Sequence, residues 1–228
     1  MAFVMALSLL PLGAVAEVQA VPTVQSDAHD CTACDEQVTW IAWDKAGEVP
    51  TASGHYYLTV DVQTSDWLTL TNVDITLCLN GHTVTANGPE GKSADRIVGL
   101  KENATFTVTD CTATVDADGN YTAGKLTGGS LSAIMMRKES VNATFHMYGG
   151  ILTGNQALSG GAVCVQGTGI FNLYGGEISG NTATEQGGGF YVSGAFVNVY
   201  GAPPGYGSTP DRRWNYRDLP SRPGAEIL

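Results

Sequence analysis

From Trp40 onward, apolar and polar residues alternate in short runs. The stretches "WIAWD" (40–44), "HYYLTVDV" (55–62) and "WLTLTNVDITLCLNGHTVTANG" (67–88) keep a period of two, which predicts half-buried strands. Leu58, Val60 and Val62 fall on one face, against Tyr57, Thr59 and Asp61 on the other. Val73, Ile75, Leu77 and Leu79 share a face, opposite Asp74, Thr76, Cys78 and Asn80. Asn80-Gly81 then breaks the run with residues that tolerate a tight turn.

Farther along, the pattern repeats itself. "TFHMYGGILTGNQALSGGAVCVQG" (144–167) is followed by "IFNLYGGEISGNTATEQGGGFYVSG" (170–194). Tyr148-Gly149-Gly150 returns as Tyr174-Gly175-Gly176 after 26 residues, and Tyr200-Gly201 follows after another 26. Asn155 returns as Asn181 and Ala157 as Ala183, whereas the Gly161 and Gly188 segments align only after a one-residue slip. Asn103-Ala104-Thr105-Phe106 returns as Asn142-Ala143-Thr144-Phe145 after 39 residues. The Asp- and Gly-rich piece "ATVDADGNYTAGK" accounts for the excess and reads as a loop inserted in one repeat.

A fixed period in this range marks a stacked array. Each repeat holds three apolar segments, for example Phe171–Leu173, Ile178 and Phe190–Val192, too short and glycine-broken for helices. One such unit cannot bury its apolar face alone; stacked at ~4.8 Å on its neighbours, it gains ladder hydrogen bonds and a continuous core. Parallel crossovers are right-handed in ~98% of cases. The expected fold is therefore all-β: a right-handed, single-stranded parallel β-helix over residues 55–201, about five or six coils and ~25 Å tall. Phe145, Met147, Phe171 and Leu173 are expected to point inward. Gly and Asn suit the corners, and Asn155 and Asn181 are placed to stack as an amide ladder.

These repeats carry a resemblance. "YGGEISGNTATEQGGGFYVSG" resembles the GGxIxGNxA…GGGVYV repeats of bacterial surface proteins in the pectin-lyase-like superfamily, and "VDITLCLNGHTVT" resembles the LxLNGHTI strand near the start of such helices. The Gly161 and Gly188 segments partly resemble the GGAI repeats of polymorphic outer-membrane autotransporters. The resemblance covers roughly residues 38–201 and implies the β-helix fold. It points to adhesins and stalks on one side and to polysaccharide lyases and hydrolases on the other.

Composition narrows the function classes. Only 14% of the 228 residues are charged, against ~25% in ordinary globular proteins. A formal charge of −11 argues against nucleic acid and anionic lipid surfaces as partners. Residues 1–20 read as an export signal with small-residue cleavage sites, although no Lys or Arg precedes Lys45. The apolar run is too short to span a membrane, so the mature chain is expected outside the cell or on its surface, without a membrane span. Residues 21–54 are expected to form an irregular cap. Residues 202–228, with Pro203-Pro204 and four of the eleven basic residues, are expected to lack regular structure and to mark an array cut short.

Candidate chemistry is sparse. The clean repeats contain only Glu177 and Glu185 as acids, with Arg137 and Lys138 before them, and offer no carboxylate pair for glycoside hydrolysis. No catalytic residue, metal ligand or cofactor is assigned. "DADGN" (116–120) lacks the spacing of a calcium loop and reads as a turn. Cys31 and Cys34, beside His29, supply too few ligands for a structural zinc site and read as a local disulfide or a thiol pair. Cys78 and Cys111 are candidates for a disulfide between early coils, although the strand alignment does not stack them. Cys164 is expected in the core. His82 and His146 are expected to be solvated. Three N-x-T patterns, at Asn103, Asn120 and Asn142, are read as coincidences of an Asn/Thr-rich bacterial sequence.

Tyr148, Tyr174 and Tyr200 recur at one position, where they either pack as a stack or expose an aromatic ladder to sugar rings. The function expected is an exported, non-catalytic stalk or adhesin, with weak glycan binding on the tyrosine row and host or environmental glycans or surface proteins as partners. The alternative is a polysaccharide lyase or glycoside hydrolase of the same fold.

Overall fold

The computed structural model describes residues 38–44, 50–64, 68–86 and 96–200. The expected leader, the stretch up to residue 37 with Cys31 and Cys34, and the 202–228 tail lie outside the described residues. Among the described residues every regular element is a strand.

Most strands belong to three parallel sheets. The first stacks Trp40–Trp43, Gly54–Leu58, Asp74–Cys78, Thr105–Thr109, Thr144–Met147, Ile170–Leu173 and Phe196–Val199, in that order. The second stacks Val62–Thr64, Thr83–Ala86, Lys125–Thr127, Ile151–Thr153 and Glu177–Ser179. The third stacks Leu68–Leu70, Val98–Leu100, Ile134–Met136, Val163–Gln166 and Phe190–Ser193. From Gly54 the chain visits the first, second and third sheets in turn, and repeats that circuit to residue 193 before entering the first sheet again. Equivalent residues in successive circuits are 21, 31, 39 and 26 apart.

The register explains why the core is continuous. Phe106, Phe145, Phe171 and Val197 are paired across neighbouring strands of the first sheet. The phenyl rings stack at 5.9 and 5.1 Å, and Phe190 of the third sheet meets Phe171 edge-on at 6.0 Å. One cluster draws together Ile75 and Leu77, Val84 and Leu126, and Leu100, Ile134 and Val163, hence side chains of all three sheets. Burying each large side chain contributes about 1.5–3 kcal/mol, so alternation in the sequence is converted directly into a shared interior. Phe145, Met147 and Phe171 are fully buried, and Leu173 packs against them from the rim.

Corners use left-handed backbone. Asn72, Asn103 and Asn142 have φ of 54°, 49° and 56°, a region that Asn enters more readily than most residues. Their amides form a ladder: Asn103 Nδ2 donates to Asn72 Oδ1 (3.0 Å) and Asn142 Nδ2 to Asn103 Oδ1 (3.1 Å). The recurrent Tyr-Gly-Gly is a corner too. Gly150 and Gly176 have φ of 85° and 90°, and a Cβ at Gly176 would lie 2.7 Å from the Gly150 carbonyl oxygen. In "LNGH" the Asn80 amide donates to Leu58 O of the previous circuit (3.0 Å), so this turn is fastened to its neighbour.

Several local expectations change. Parallel pairing starts at Trp40, where Trp40–Trp43 aligns with His55–Leu58, inside the stretch expected to be irregular. Val60 is 45% exposed, because the strand ends at Leu58 and the chain bends before Val62. Tyr57 is buried instead, in a second cluster with Trp40 and Cys78. Cys164 is buried as expected, though outside the main cluster, in register with Met135 and Tyr191 and between the inward Val163 and Val165. The one-residue slip is a bulge between Ala157 and Ser159, in an additional parallel pair formed by Gln156–Ser159 and Thr182–Gln186. The inserted loop is an antiparallel hairpin of Thr114–Val115 with Tyr121–Thr122.

Candidate functional site

The outer face of the first sheet is the most regular surface of the described chain. Alternation puts every second residue of its strands outward, and the parallel register lines these residues up in rows. One row runs Thr105, Thr144, Ile170, Phe196; the next runs Thr107, His146, Asn172, Asn198. Just beyond the strand ends come Tyr148, Tyr174 and Tyr200. Tyr174 N donates to Met147 O and Tyr200 N to Leu173 O, which keeps these residues in register. None of these residues carries a formal charge.

The tyrosines form one stack. Ring centroids are 4.4 Å apart for Tyr148 and Tyr174, with planes 5° apart, and 4.6 Å with 9° for Tyr174 and Tyr200. Tyr148 and Tyr200 are nevertheless 49% and 46% exposed. Both expected arrangements hold at once: the rings are packed, and the row faces solvent. Because the rings cover one another's faces, the row presents edges and hydroxyls rather than broad π-surfaces. Partial burial, followed by the neighbouring phenols, raises the Tyr174 pKa, so its hydroxyl stays protonated at neutral pH.

His146 lies beside the stack, 5.9 Å from the Tyr174 ring and 6.3 Å from that of Tyr148. It is half-buried rather than solvated, and burial lowers its pKa. Its Nδ1 is 3.4 Å from Asn172 Nδ2, and Asn198 Nδ2 donates to Asn172 Oδ1 at 2.8 Å. Thus an amide ladder runs next to the tyrosine ladder. The 26-residue step that relates Asn172 to Asn198 was available in the sequence, as was the one relating His146 to Asn172. Phe196, 65% exposed, completes the surface.

Asn155 and Asn181 are inside the protein. Asn155 Nδ2 donates to Asn181 Oδ1 (2.9 Å), to Leu126 O (3.1 Å) and to Thr153 O (3.0 Å), and its Oδ1 accepts from Gly129 N (2.9 Å). Asn181 repeats the arrangement on Leu152 O and Ser179 O. These amides tie backbone to backbone between circuits.

Asp110, which the sequence did not single out, is a buried carboxylate at the end of a first-sheet strand. It accepts from Gly81 N (3.1 Å), Thr112 N (2.8 Å), Thr112 Oγ1 (2.8 Å) and Gly124 N (2.5 Å). It binds the "LNGH" turn to the two ends of the hairpin insertion. Tyr121 joins from that hairpin: its hydroxyl accepts from Gly150 N at 3.2 Å, and burial raises its pKa.

Cys78 and Cys111, candidates for a disulfide in the sequence, come together in the structure. Their sulfurs are 3.3 Å apart, and the Cys111 backbone N–H donates to Cys78 Sγ at 3.4 Å. Cys78 is aligned with Thr109, and the chain places Cys111 two residues past it. Cys164 is a thiol whose pKa is raised by burial.

The "DADGN" segment is a turn organised by its own first residue. Asp116 Oδ1 accepts from Asp118 N and Asn120 N, and Oδ2 from Asn120 Nδ2. These bonds, that of the Asn120 side chain first, lower the Asp116 pKa. Among the described residues, no three His, Cys, Asp or Glu side chains gather as a metal site, and no helix is long and apolar enough to cross a membrane. Compared with known proteins, the chain matches no family model, no curated protein and no solved structure.

Proposed function

We propose that the circuits form a right-handed parallel β-helix of the pectin-lyase-like kind, and that the protein is an exported stalk or adhesin whose contact surface is the outer face of the first sheet. The cyclic sheet order, the single core cluster and the strong right-handed bias of parallel crossovers support the fold. The observation that carries the function is the exposed tyrosine stack, flanked by an amide ladder, in a part of that face (the strands of residues 144–199) whose outward side chains carry no formal charge. Such a face gives a ligand the same weak contact several times at the strand spacing. Repetition of contacts, rather than one deep pocket, then supplies avidity.

The stacking also limits what this surface recognises. A sugar that needs the broad face of an aromatic ring finds those faces covered within the row. Ring edges, phenol hydroxyls and the amides of Asn172 and Asn198 remain, so a glycan ligand is held by hydrogen bonds along the row.

The test is a glycan array run beside a polysaccharide depolymerisation assay, with and without calcium. Binding without turnover, lost in Tyr148→Ala/Tyr174→Ala while the far-ultraviolet spectrum of β structure persists, is the expected result. Unsaturated sugar products from a polyuronate, or binding unaffected by the double substitution, would overturn it.

A further inference from the structure

The amide ladder beside the tyrosine stack has a direction, and His146 stands at its head. Asn198 Nδ2 donates to Asn172 Oδ1 (2.8 Å), and Asn172 Nδ2 lies 3.4 Å from His146 Nδ1. An amide nitrogen only donates, so Nδ1 is the acceptor and the neutral ring carries its proton on Nε2. Asn172 is 7% exposed, so both ends of its amide depend on these two partners. Asn198 is exposed, and its Oδ1, which the ladder does not use, is the acceptor it offers to solvent. We propose that protonation of His146 reverses this ladder, so that the row changes from hydrogen-bond acceptor to donor as the pH falls and then takes a carboxylate-bearing sugar. The inference rests on the reading of this face as the contact surface.

The reversal follows from what each group can donate. Protonated imidazole carries an N–H on both ring nitrogens, so its Nδ1–H meets the Asn172 Nδ2–H, donor against donor. Turning the ring over restores no acceptor. A half-turn of the Asn172 amide about its Cβ–Cγ bond does resolve the conflict. Asn172 Oδ1 then accepts from the imidazolium, and such charge-assisted bonds are stronger than neutral ones. Its Nδ2 now faces Asn198, which turns in the same way and accepts through Oδ1. The Asn198 NH2 group is left pointing outward.

Among the described residues around His146, no other group changes charge in the acid range. The strand on one side presents Thr107 and that on the other Asn172, and the corner presents the Tyr148 and Tyr174 phenols. Phenols titrate far on the alkaline side. Thr105, Thr144 and Ile170, in the adjacent outward row, are uncharged. Burial lowers the His146 pKa, so the ring is neutral at neutral pH and charges on the acid side of the ordinary histidine value. In the neutral state Asn198 offers an amide oxygen, suited to a sugar hydroxyl. In the acid state the row offers N–H donors beside a cation, suited to a sugar carboxylate.

The experiment is a titration of the full, nitrogen-15-labelled chain by NMR, from neutral to mildly acid pH and without ligand. The side-chain amide signals of Asn172 and Asn198 are expected to move together, with the midpoint at which the His146 ring nitrogens titrate. His146→Gln should hold both signals still. His55→Gln, three strands away in the same row, should leave their movement intact. Amide signals that stay put while His146 titrates would overturn the proposal, and the unsubstituted chain decides this even if His146→Gln does not fold. Binding is then measured with an oligogalacturonate and a neutral cello-oligosaccharide. The oligogalacturonate should bind about threefold to tenfold tighter in the acid state, and His146→Gln should abolish that step. Oligogalacturonate binding that is unchanged or weaker in acid would also overturn the proposal. Absence of binding by either sugar would overturn the contact-surface reading alone, because the amide signals are read on the free protein.

Discussion

Asn155→Ala is the sharpest probe of how the circuits are joined. The side chain is fully buried, and its amide satisfies groups on three separate stretches. Its removal takes an acceptor from Gly129 N–H and a donor from Leu126 O, Thr153 O and the Asn181 amide oxygen. Asn181 Oδ1 keeps the backbone N–H of residue 155 at 3.1 Å, so its loss is partial. Three backbone groups, Gly129 N–H, Leu126 O and Thr153 O, therefore lose a partner, each at a cost of about 1–3 kcal/mol. The expected destabilisation is about 3–5 kcal/mol, at the low end of that sum because the neighbouring backbone relaxes around the smaller side chain. Asn198→Ala is the control: it removes one bond to Asn172 at the surface and should cost about 1 kcal/mol or less. Urea denaturation gives the difference between the two variants, and amide hydrogen exchange locates it. Gly129 N–H should lose protection in Asn155→Ala well before the Phe145 strand does. The reasoning is refuted if Asn155→Ala costs no more than Asn198→Ala, or if Gly129 exchanges at its original rate.

Three further outcomes follow from the same geometry. Phe145→Ala removes the middle ring of the core stack and should cost about 3–5 kcal/mol in urea denaturation. Gly161→Ala places a Cβ 2.3 Å from the Gly188 carbonyl oxygen and 2.7 Å from that of Thr182, so soluble yield and thermal midpoint should drop sharply, whereas Gly119→Ala meets no atom within 4 Å and pays only for its left-handed φ. Burial lowers the pKa of both His55 and His146; the unfolded chain then takes up protons first as the pH falls below about 6.5. Stability is thus complete above that pH and declines as the pH drops toward the folded values, and a denaturation series in His146→Gln should show a shallower decline.

The sequence disclosed the strands and their repeat because burial acts on period, and period survives in a single chain. The step from Tyr148 to Tyr174 and the recurrent Asn-Ala-Thr-Phe are enough to place Phe145 over Phe106. Other features depend on contacts whose partners are not marked by period. Tyr57 and Cys78 alternate outward and are buried all the same, because a second cluster covers that part of the first sheet. Val60 keeps the alternation on paper yet is exposed, since a bend interrupts the strand. Asp110 looks like any surface carboxylate until the hairpin insertion folds back and supplies Gly124 N. The proximity of Cys78 and Cys111 required knowing that Cys78 aligns with Thr109, a register set by a degenerate 31-residue circuit rather than by the clean 26-residue one.

The same regularity that makes the fold legible sets what its surface can do. A residue placed outward in one circuit is placed outward in the next, so chemistry appears as a row rather than as a converging set of unlike groups. Stacked tyrosines at 4.4 and 4.6 Å are the result for one row, and hydrogen-bonded amides for another. Acid–base catalysis needs two groups held in different environments, which a row of equivalent side chains does not by itself create. Departures from the repeat are where unlike groups meet. The hairpin insertion brings Asp110 and Tyr121 together, and the longer early circuits bring Cys78 to Cys111. The clean repeats place like groups in rows, and the irregular circuits that precede them are where unlike groups come together.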